Sequence, residues 1–170
     1  MIAVLISVFG PDRTGLVAAI TGRLFELGAN LGDTSFAMLG TGAEFTSVCD
    51  LPADVTAAEV EEDLAAMPEM AGMSVSVRPF ELEPSHGPSG RITHRVVLMG
   101  GDRPGLIARL SEVFGQFKAN IVRLDAQRLP DEGLYVTRFA VSIGERADAC
   151  LNTVANTAGE LGLACKVEEA

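Results

Sequence analysis

The chain has 170 residues, 48% of them hydrophobic and 21% charged, which is the balance of a folded globular protein. Its formal net charge of −10 would repel a phosphate backbone, so we expect no direct nucleic-acid binding. The sequence contains no apolar run long enough to span a membrane, and its start lacks the basic segment of a signal peptide. We therefore expect a cytoplasmic protein that does not bind membranes.

The residue types that usually carry catalysis and metal binding are sparse. Cys49, Cys150 and Cys165 form no C-x-x-C pair, and we expect them to pack as small apolar residues. His86 and His94 belong to no recognisable triad or ligand cluster. The sequence therefore predicts no catalytic residue, no metal site and no cofactor, so the protein is not expected to be an enzyme.

The sequence repeats itself at an offset of 90 residues, which indicates a duplicated structural unit. Two short motifs carry the repeat in the same register. The segment GPDRTGLVA (10–18) aligns with GGDRPGLIA (100–108), and Ala29-Asn30-Leu31 aligns with Ala119-Asn120-Ile121.

Each repeat predicts the same order of elements along the chain. A β-rich strand (2–9 and 93–99) runs into the loop, and an amphipathic helix follows it. The apolar residues of each helix recur at spacings of three and four, which places them on one face. These residues are Val17, Ile20, Leu24 and Leu27 in the first repeat, and Ile107, Leu110, Phe114 and Phe117 in the second.

A hairpin, a second helix and a final strand complete each repeat. The hairpin strands are predicted at 31–39 and 44–51, and at 121–129 and 134–143, with turn residues between them. Thr56 and Glu59 form the sequence pattern of a capping box at the start of the second helix of the first repeat. The last strands are predicted at 74–82 and 163–168.

The order β-α-β-β-α-β is that of a ferredoxin-like unit. We therefore predict an α+β protein with two such domains in tandem, each an antiparallel sheet with helices on one face. A Pro/Gly/Ser-rich segment (83–91) is expected to link domain 1 (1–82) to domain 2 (92–170). The small size of each unit favours side-by-side pairing of the two halves, either within one chain or between chains. Open sheet edges favour a homodimer.

The motif Asp102-Arg103-Pro104-Gly105-Leu106, followed by Ala119-Asn120-Ile121, resembles the ACT family of amino-acid-binding regulatory domains. The first repeat carries the same motif and departs from it at Thr14, where the second has proline. The resemblance covers nearly the whole chain outside the linker. Two such domains in tandem resemble the glycine cleavage system transcriptional repressor group, whose members are regarded as acting through another protein.

The chemistry of the loop suits an amino-acid ligand. Gly15 and Gly105 are predicted to start helices, where free backbone N–H groups and the positive end of the helix dipole favour a carboxylate. Asp12 and Asp102, just before the helix, could cap it or face a ligand ammonium group.

The second half of the predicted site is an asparagine in each repeat. Asn30 and Asn120 begin the second strand, which we expect to lie beside the first strand and so near the loop. The resemblance implies that ligands lie between paired ACT domains, where the loop of one faces the asparagine of the other. The predicted ligand-binding residues are Asp12, Gly15, Leu16, Asn30, Asp102, Gly105, Leu106 and Asn120.

Three functions stay open at this point. The leading prediction is an amino-acid sensor that signals to a protein partner, and the resemblance implies transcriptional control of glycine and one-carbon metabolism. The alternatives are a ligand-free interaction scaffold and a regulatory subunit of a metabolic enzyme. Saturable amino-acid binding would separate the sensor from the scaffold. The identity of a co-purifying partner, a transcription regulator or an enzyme, would separate the sensor from the subunit.

Overall fold

The computed structural model describes residues 1–170, and the chain divides into two compact units, 1–84 and 85–170. The predicted β-α-β-β-α-β order is confirmed in both units. None of the helices combines the length and the apolar character that crossing a bilayer requires.

The first unit contains four strands and two helices, with a short 3₁₀ turn (Pro68–Met70) before its last strand. In chain order its elements are β1 (Ile2–Pro11), α1 (Leu16–Glu26), β2 (Asn30–Leu39), β3 (Gly42–Leu51), α2 (Ala57–Ala65) and β4 (Ser74–Pro79).

The second unit repeats this arrangement after a 3₁₀ turn at Pro88–Gly90. Its elements are β5 (His94–Gly100), α3 (Leu106–Gln116), β6 (Asn120–Leu129), β7 (Leu134–Ser142), α4 (Ala147–Glu160) and β8 (Ala164–Glu169).

Each unit builds one antiparallel sheet of four strands, in the order β2-β3-β1-β4 and β6-β7-β5-β8. The expectation that the second strand lies beside the first is therefore wrong. The hairpin partner β3 pairs with both β1 and β2 and so separates them, as β7 separates β5 from β6. The strand that begins with Asn30 or Asn120 consequently lies at an edge of its sheet.

The core of each unit lies between the sheet and its helices, because alternate strand residues point to one face. In β1 the buried residues are Val4, Ile6 and Val8, and the intervening ones are partly exposed. From α1, the core receives Leu16, Ile20 and Leu24.

One residue of the predicted helix stripe is misplaced. Val17 is exposed, whereas its neighbour Leu16 is buried. The helix begins at Leu16, so the spacing of four that leads to Ile20 and Leu24 starts there and turns Val17 away from the sheet. Leu27 remains partly buried against the core, as expected from the stripe.

The capping box predicted from Thr56 and Glu59 is present. The Glu59 backbone N–H donates to the Thr56 hydroxyl (3.2 Å), and the Thr56 backbone N–H donates to the Glu59 carboxylate (2.8 Å). This reciprocal pair satisfies two donors that a helix start otherwise leaves unpaired. It also lowers the pKa of Glu59, chiefly through the hydrogen bond from the Thr56 backbone and then through that from its hydroxyl.

Candidate functional site

The loop between β1 and α1 is attached to its own unit by Asp12 and Arg13. The Asp12 backbone N–H donates to the Thr41 carbonyl (3.0 Å) in the turn between β2 and β3. The Arg13 guanidinium donates to the Glu69 carbonyl (2.6 Å) and to the Ala71 carbonyl, just before β4. The loop therefore bridges two turns, and its backbone is held while the carboxylate of Asp12 stays partly exposed.

The helix that follows starts without a side-chain cap. Gly15 is the N-cap, in the left-handed region with φ 85°, and no side chain accepts from the first turn. Leu16 N–H donates to the Arg13 carbonyl (3.3 Å), and the helical pattern begins with Ala19 N–H donating to Gly15 (2.9 Å). The N–H groups of Val17 and Ala18 are left without a protein acceptor, which is the arrangement that favours an anion.

The second unit builds the same helix start at Gly105, with φ 79° and again no side-chain cap. Leu106 N–H donates to the Arg103 carbonyl (3.4 Å), and Arg109 N–H to Gly105 (3.0 Å). Asp12 and Asp102 therefore do not cap their helices, which removes one of the two roles that the sequence left open for them. Their carboxylates can instead pair with a positively charged group.

The two aspartates differ in whether they already have that partner. Asp102 accepts from Arg128 of β6, with 2.8 Å to Nε and 2.6 Å to the nearer terminal nitrogen. The residue that corresponds to Arg128 in the first unit is Met38, which is exposed and carries no charge. Asp12 makes no ion pair. The Asp12 carboxylate in the first loop thus has no positively charged partner, whereas the Asp102 carboxylate in the second loop is paired with a guanidinium.

The asparagines lie far from the loops of their own units. Asn30 pairs with Asp50 of β3, which in turn pairs with Ala3 at the start of β1, whereas Asp12 follows the end of β1. At about 3.3 Å per residue, this places Asn30 roughly 30 Å from Asp12 along the strand direction. Asn120 lies at the same end of the second sheet, opposite Ser142.

The side-chain amides of the asparagines have different surroundings. The Asn120 amide donates to the Ser89 carbonyl (2.8 Å), in the 3₁₀ turn that precedes β5. Asn30 is exposed and makes no side-chain hydrogen bond. Neither unit brings its aspartate and its asparagine together.

Leu16 and Leu106, also predicted as ligand-binding residues, lie in the two cores. They are 2% and 3% exposed. Because the helix begins at these residues, their side chains point down onto the sheet, and only the backbone beside them borders the loop.

The three cysteines were expected to pack as small apolar residues. Burial raises the pKa of the Cys49, Cys150 and Cys165 thiols, which agrees with that expectation.

Arg128 is the residue of the loop region that the sequence did not single out. It lies 26 residues after Asp102 in the chain, and the hairpin pairing brings the two together. The repeat gave no signal for it, because the first unit has Met38 at the corresponding position. The alternation of side chains along β6 predicts that Arg128 lies on the same face as Leu124 and Ala126. It does not predict that Arg128 lies beside the loop.

Two ferredoxin-like units in series, each with a glycine-started helix after its first strand, define the molecule as a tandem of small α+β modules. Residues 3–78 match the model of the ACT domain family. The first unit is therefore an ACT domain, as the loop motif predicted, and because the second unit repeats its fold, the chain has a tandem ACT fold.

Two crystal structures match the fold over nearly the whole chain. An unknown protein from Galdieria sulphuraria is 21% identical, with a TM-score of 0.74, and the match covers 99% of this chain and 98% of that protein. A candidate glycine cleavage system transcriptional repressor is 15% identical, with a TM-score of 0.68 and coverage of 99% and 97%. At these identities the likeness concerns the fold. No curated protein matches the sequence.

Proposed function

We propose that this protein is a non-catalytic cytoplasmic regulator that binds an amino acid between two ACT domains and signals its presence to a protein partner. The observation that carries the proposal is the helix start that recurs in both units. At Gly15 and Gly105 the helix is uncapped, and an aspartate lies three residues earlier. An amino acid carries the two charges that such a pair of groups would bind, a carboxylate and an ammonium.

The position of the asparagines supports a site made from two domains. Within a unit, Asn30 and Asp12 lie roughly 30 Å apart along the sheet, so one domain cannot use both on a small ligand. A second ACT domain, in the same chain or in another copy, would have to supply the missing half. A ligand that contacts both domains would bind better when the domains are paired than when they are apart. Ligand binding would therefore shift the equilibrium toward the paired arrangement.

The two aspartates should contribute unequally to that binding. Asp102 is already paired with Arg128, so a ligand ammonium would have to compete with a guanidinium. Asp12 has no such competitor. We therefore propose that the carboxylate of Asp12 is the main ammonium contact.

The output of the sensor is proposed to be a protein contact that controls transcription of glycine or one-carbon metabolism genes. The net charge of −10 disfavours direct binding to DNA, so the signal would pass through a partner. The fold shared with the candidate repressor supports this assignment without naming the ligand. If the bound ligand changes the affinity for the partner by some factor, the bound partner changes the affinity for the ligand by the same factor.

The test is a thermal-shift screen of the full chain against the twenty amino acids. A ligand that binds only the folded protein stabilises it by ~2.7 kcal/mol at a concentration about 100 times its Kd. We expect one amino acid, or a chemically related few, to raise the melting temperature. Asp12→Asn and Asn30→Ala should each reduce that rise, and Asp102→Asn should reduce it less.

Asn152→Ala provides the matched control, because Asn152 is an exposed asparagine on α4 and belongs to neither loop. It should leave the ligand-induced shift unchanged. The absence of a shift with any amino acid would favour a ligand-free scaffold. Ligand binding together with co-purification of a biosynthetic enzyme would favour the regulatory-subunit function over transcriptional control.

A further inference from the structure

The outer strands β4 and β8 each pair with one neighbour, so each has an edge that faces away from its sheet. The backbone hydrogen bond at the end of each strand shows which of its N–H groups point toward the central strand. Phe80 N–H donates to the Ala3 carbonyl and Ala170 N–H to the Thr93 carbonyl, both at 2.9 Å and both toward the central strand. Because antiparallel pairing alternates, residues at odd numbers in both strands direct their N–H groups outward.

The outward edge of β4 is closed by two residues. Val77 N–H donates to the Glu61 carboxylate of α2 at 2.7 Å, and Pro79 has no N–H to donate. A proline and a capping side chain are two of the means by which proteins prevent edge-to-edge association. This edge is therefore unavailable to another strand.

The second unit lacks both of these blocking residues. At the positions that correspond to Glu61 and Pro79, 90 residues later, it has Leu151 and Glu169. Leu151 cannot accept a hydrogen bond, so Val167 N–H has no protein acceptor, and Glu169 adds a further outward N–H. Val167 is 38% exposed, whereas its counterpart Val77 is 8% exposed.

The remaining two edges are less suited to pairing. Both β2 and β6 contain a register irregularity, between Leu31 and Thr34 and between Ile121 and Arg123. Such irregularities twist an edge and interrupt the row of donors and acceptors. Strand β8 pairs with β5 in unbroken register from Ala164 to Glu169. Strand β8 therefore provides an edge that is regular and that no proline or capping side chain blocks.

We propose that β8 is a dimerisation strand that pairs with β8 of a second copy of this chain, antiparallel and centred on Val167. The outward N–H and carbonyl of Val167 would exchange hydrogen bonds with the same groups of the partner's Val167. The two exposed valine side chains would then contact each other on the helix side of the joined sheet. This inference does not depend on ligand binding.

The charges along the strand select this register. Centring the pair on Val167 places Lys166 opposite the partner's Glu168, and Glu168 opposite the partner's Lys166. Opposite charges that face each other across an antiparallel pair stabilise it, and like charges destabilise it. Lys166 and Glu168 already lie on one face of the strand, 2.6 Å apart, so the dimer would join two ion pairs into one alternating cluster.

The first test is the mass of the full chain in solution, measured by sedimentation equilibrium without added ligand. We expect a dimer, and Val167→Pro should raise its dissociation constant by roughly tenfold or more, because the outward N–H at the centre is lost. That N–H makes no bond within the unit, so circular dichroism should show an unchanged fold. A monomeric wild-type chain, or a folded Val167→Pro chain that dimerises normally, would overturn the proposal.

Charge reversal tests the register independently of the proline. Lys166→Glu should weaken the dimer, because it places a carboxylate opposite the partner's Glu168 at two symmetric positions. Lys166→Glu combined with Glu168→Lys restores opposite charges in both pairs that face each other across the dimer interface, and the dimer should recover. If the double variant stays as weak as Lys166→Glu, β8 does not pair with itself in this register and the proposal is wrong.

Discussion

The two loops that precede α1 and α3 have nearly the same sequence but different side-chain partners. In the first unit, Arg13 reaches the Glu69 and Ala71 carbonyls and holds the loop against the turn before β4, while Asp12 has no ion pair. In the second unit, Arg103 is exposed and Asp102 is paired with Arg128 from the hairpin. The helix starts themselves are the same, with φ 85° at Gly15 and 79° at Gly105.

This difference separates what the repeated motif determines from what it leaves to its surroundings. The glycine determines where the helix begins, because the left-handed conformation is local to that residue. The partners of the aspartate and the arginine depend on strands and turns that lie far away in the sequence. A duplicated motif can therefore preserve a fold and still provide two electrostatically different loops.

The largest effect that we predict tests the feature that the two units share. Gly15→Ala and Gly105→Ala should each lower the free energy of unfolding by about 1–2 kcal/mol, measured by urea denaturation, because a Cβ disfavours the left-handed region. An added Cβ would meet no atom within 4 Å at either position. The cost should therefore come from the backbone alone and be equal in the two units.

Gly22→Ala is the matched control, because Gly22 lies inside α1 and an added Cβ would also meet nothing there. It should raise the free energy of unfolding by about 0.5–1 kcal/mol, since alanine is the better helix former. If Gly15→Ala were as harmless as Gly22→Ala, the left-handed helix start would not be required for stability. A large difference between Gly15→Ala and Gly105→Ala would show that the loops constrain their helices differently.

The sequence predicted the strands, the helices and their order well, because these depend on local periodicity. The 3.6-residue period of α1 was correct to within one residue, with the misplacement at Val17 caused by the point at which the helix begins. Periodicity does not report strand order, so the position of β3 between β1 and β2 could not be read from it. The pairing of Asp102 with Arg128 was missed for the same reason, since it depends on which strand end lies beside the loop.

A second, smaller prediction concerns the two buried hydroxyls on corresponding strands. Ser47 is buried and hydrogen-bonded to the Thr34 hydroxyl at 2.7 Å. Thr137 lies on the corresponding strand β7, opposite Ala126 of β6. It is 1% exposed, and its hydroxyl has no partner. We expect Ser47→Ala to cost about 1 kcal/mol and Thr137→Val to stabilise by up to about 1 kcal/mol.

The opposite signs make this comparison informative, since both changes remove one buried hydroxyl from corresponding strands, β3 and β7. Urea denaturation of the two variants measures both. Thr137→Ser serves as the control, because it keeps the hydroxyl and removes a methyl group, and it should destabilise the second unit. A destabilising Thr137→Val would mean that the Thr137 hydroxyl is hydrogen-bonded in solution.

The smallest predicted effect distinguishes the starts of α2 and α4 by their response to pH. Hydrogen bonds from the Thr56 backbone and hydroxyl hold the pKa of Glu59 below its ordinary value of 4.5. The stabilisation is therefore present above pH 4.5 and is lost as the pH falls through the folded-state pKa. At the corresponding positions α4 has Arg146 and Ala149, which provide no capping box.

Glu59→Gln should therefore destabilise the chain at pH 7 and have a smaller effect at pH 3, because lowering the pH shifts Glu59 of the wild type toward its protonated form. Urea denaturation at the two pH values measures the difference. Ala149→Gln is the matched control on α4, where it should have the same small effect at both pH values because no carboxylate is lost. If Glu59→Gln cost the same at pH 3 as at pH 7, the charge of Glu59 would not contribute to the cap. Its hydrogen bonds to Thr56 would then act independently of ionisation.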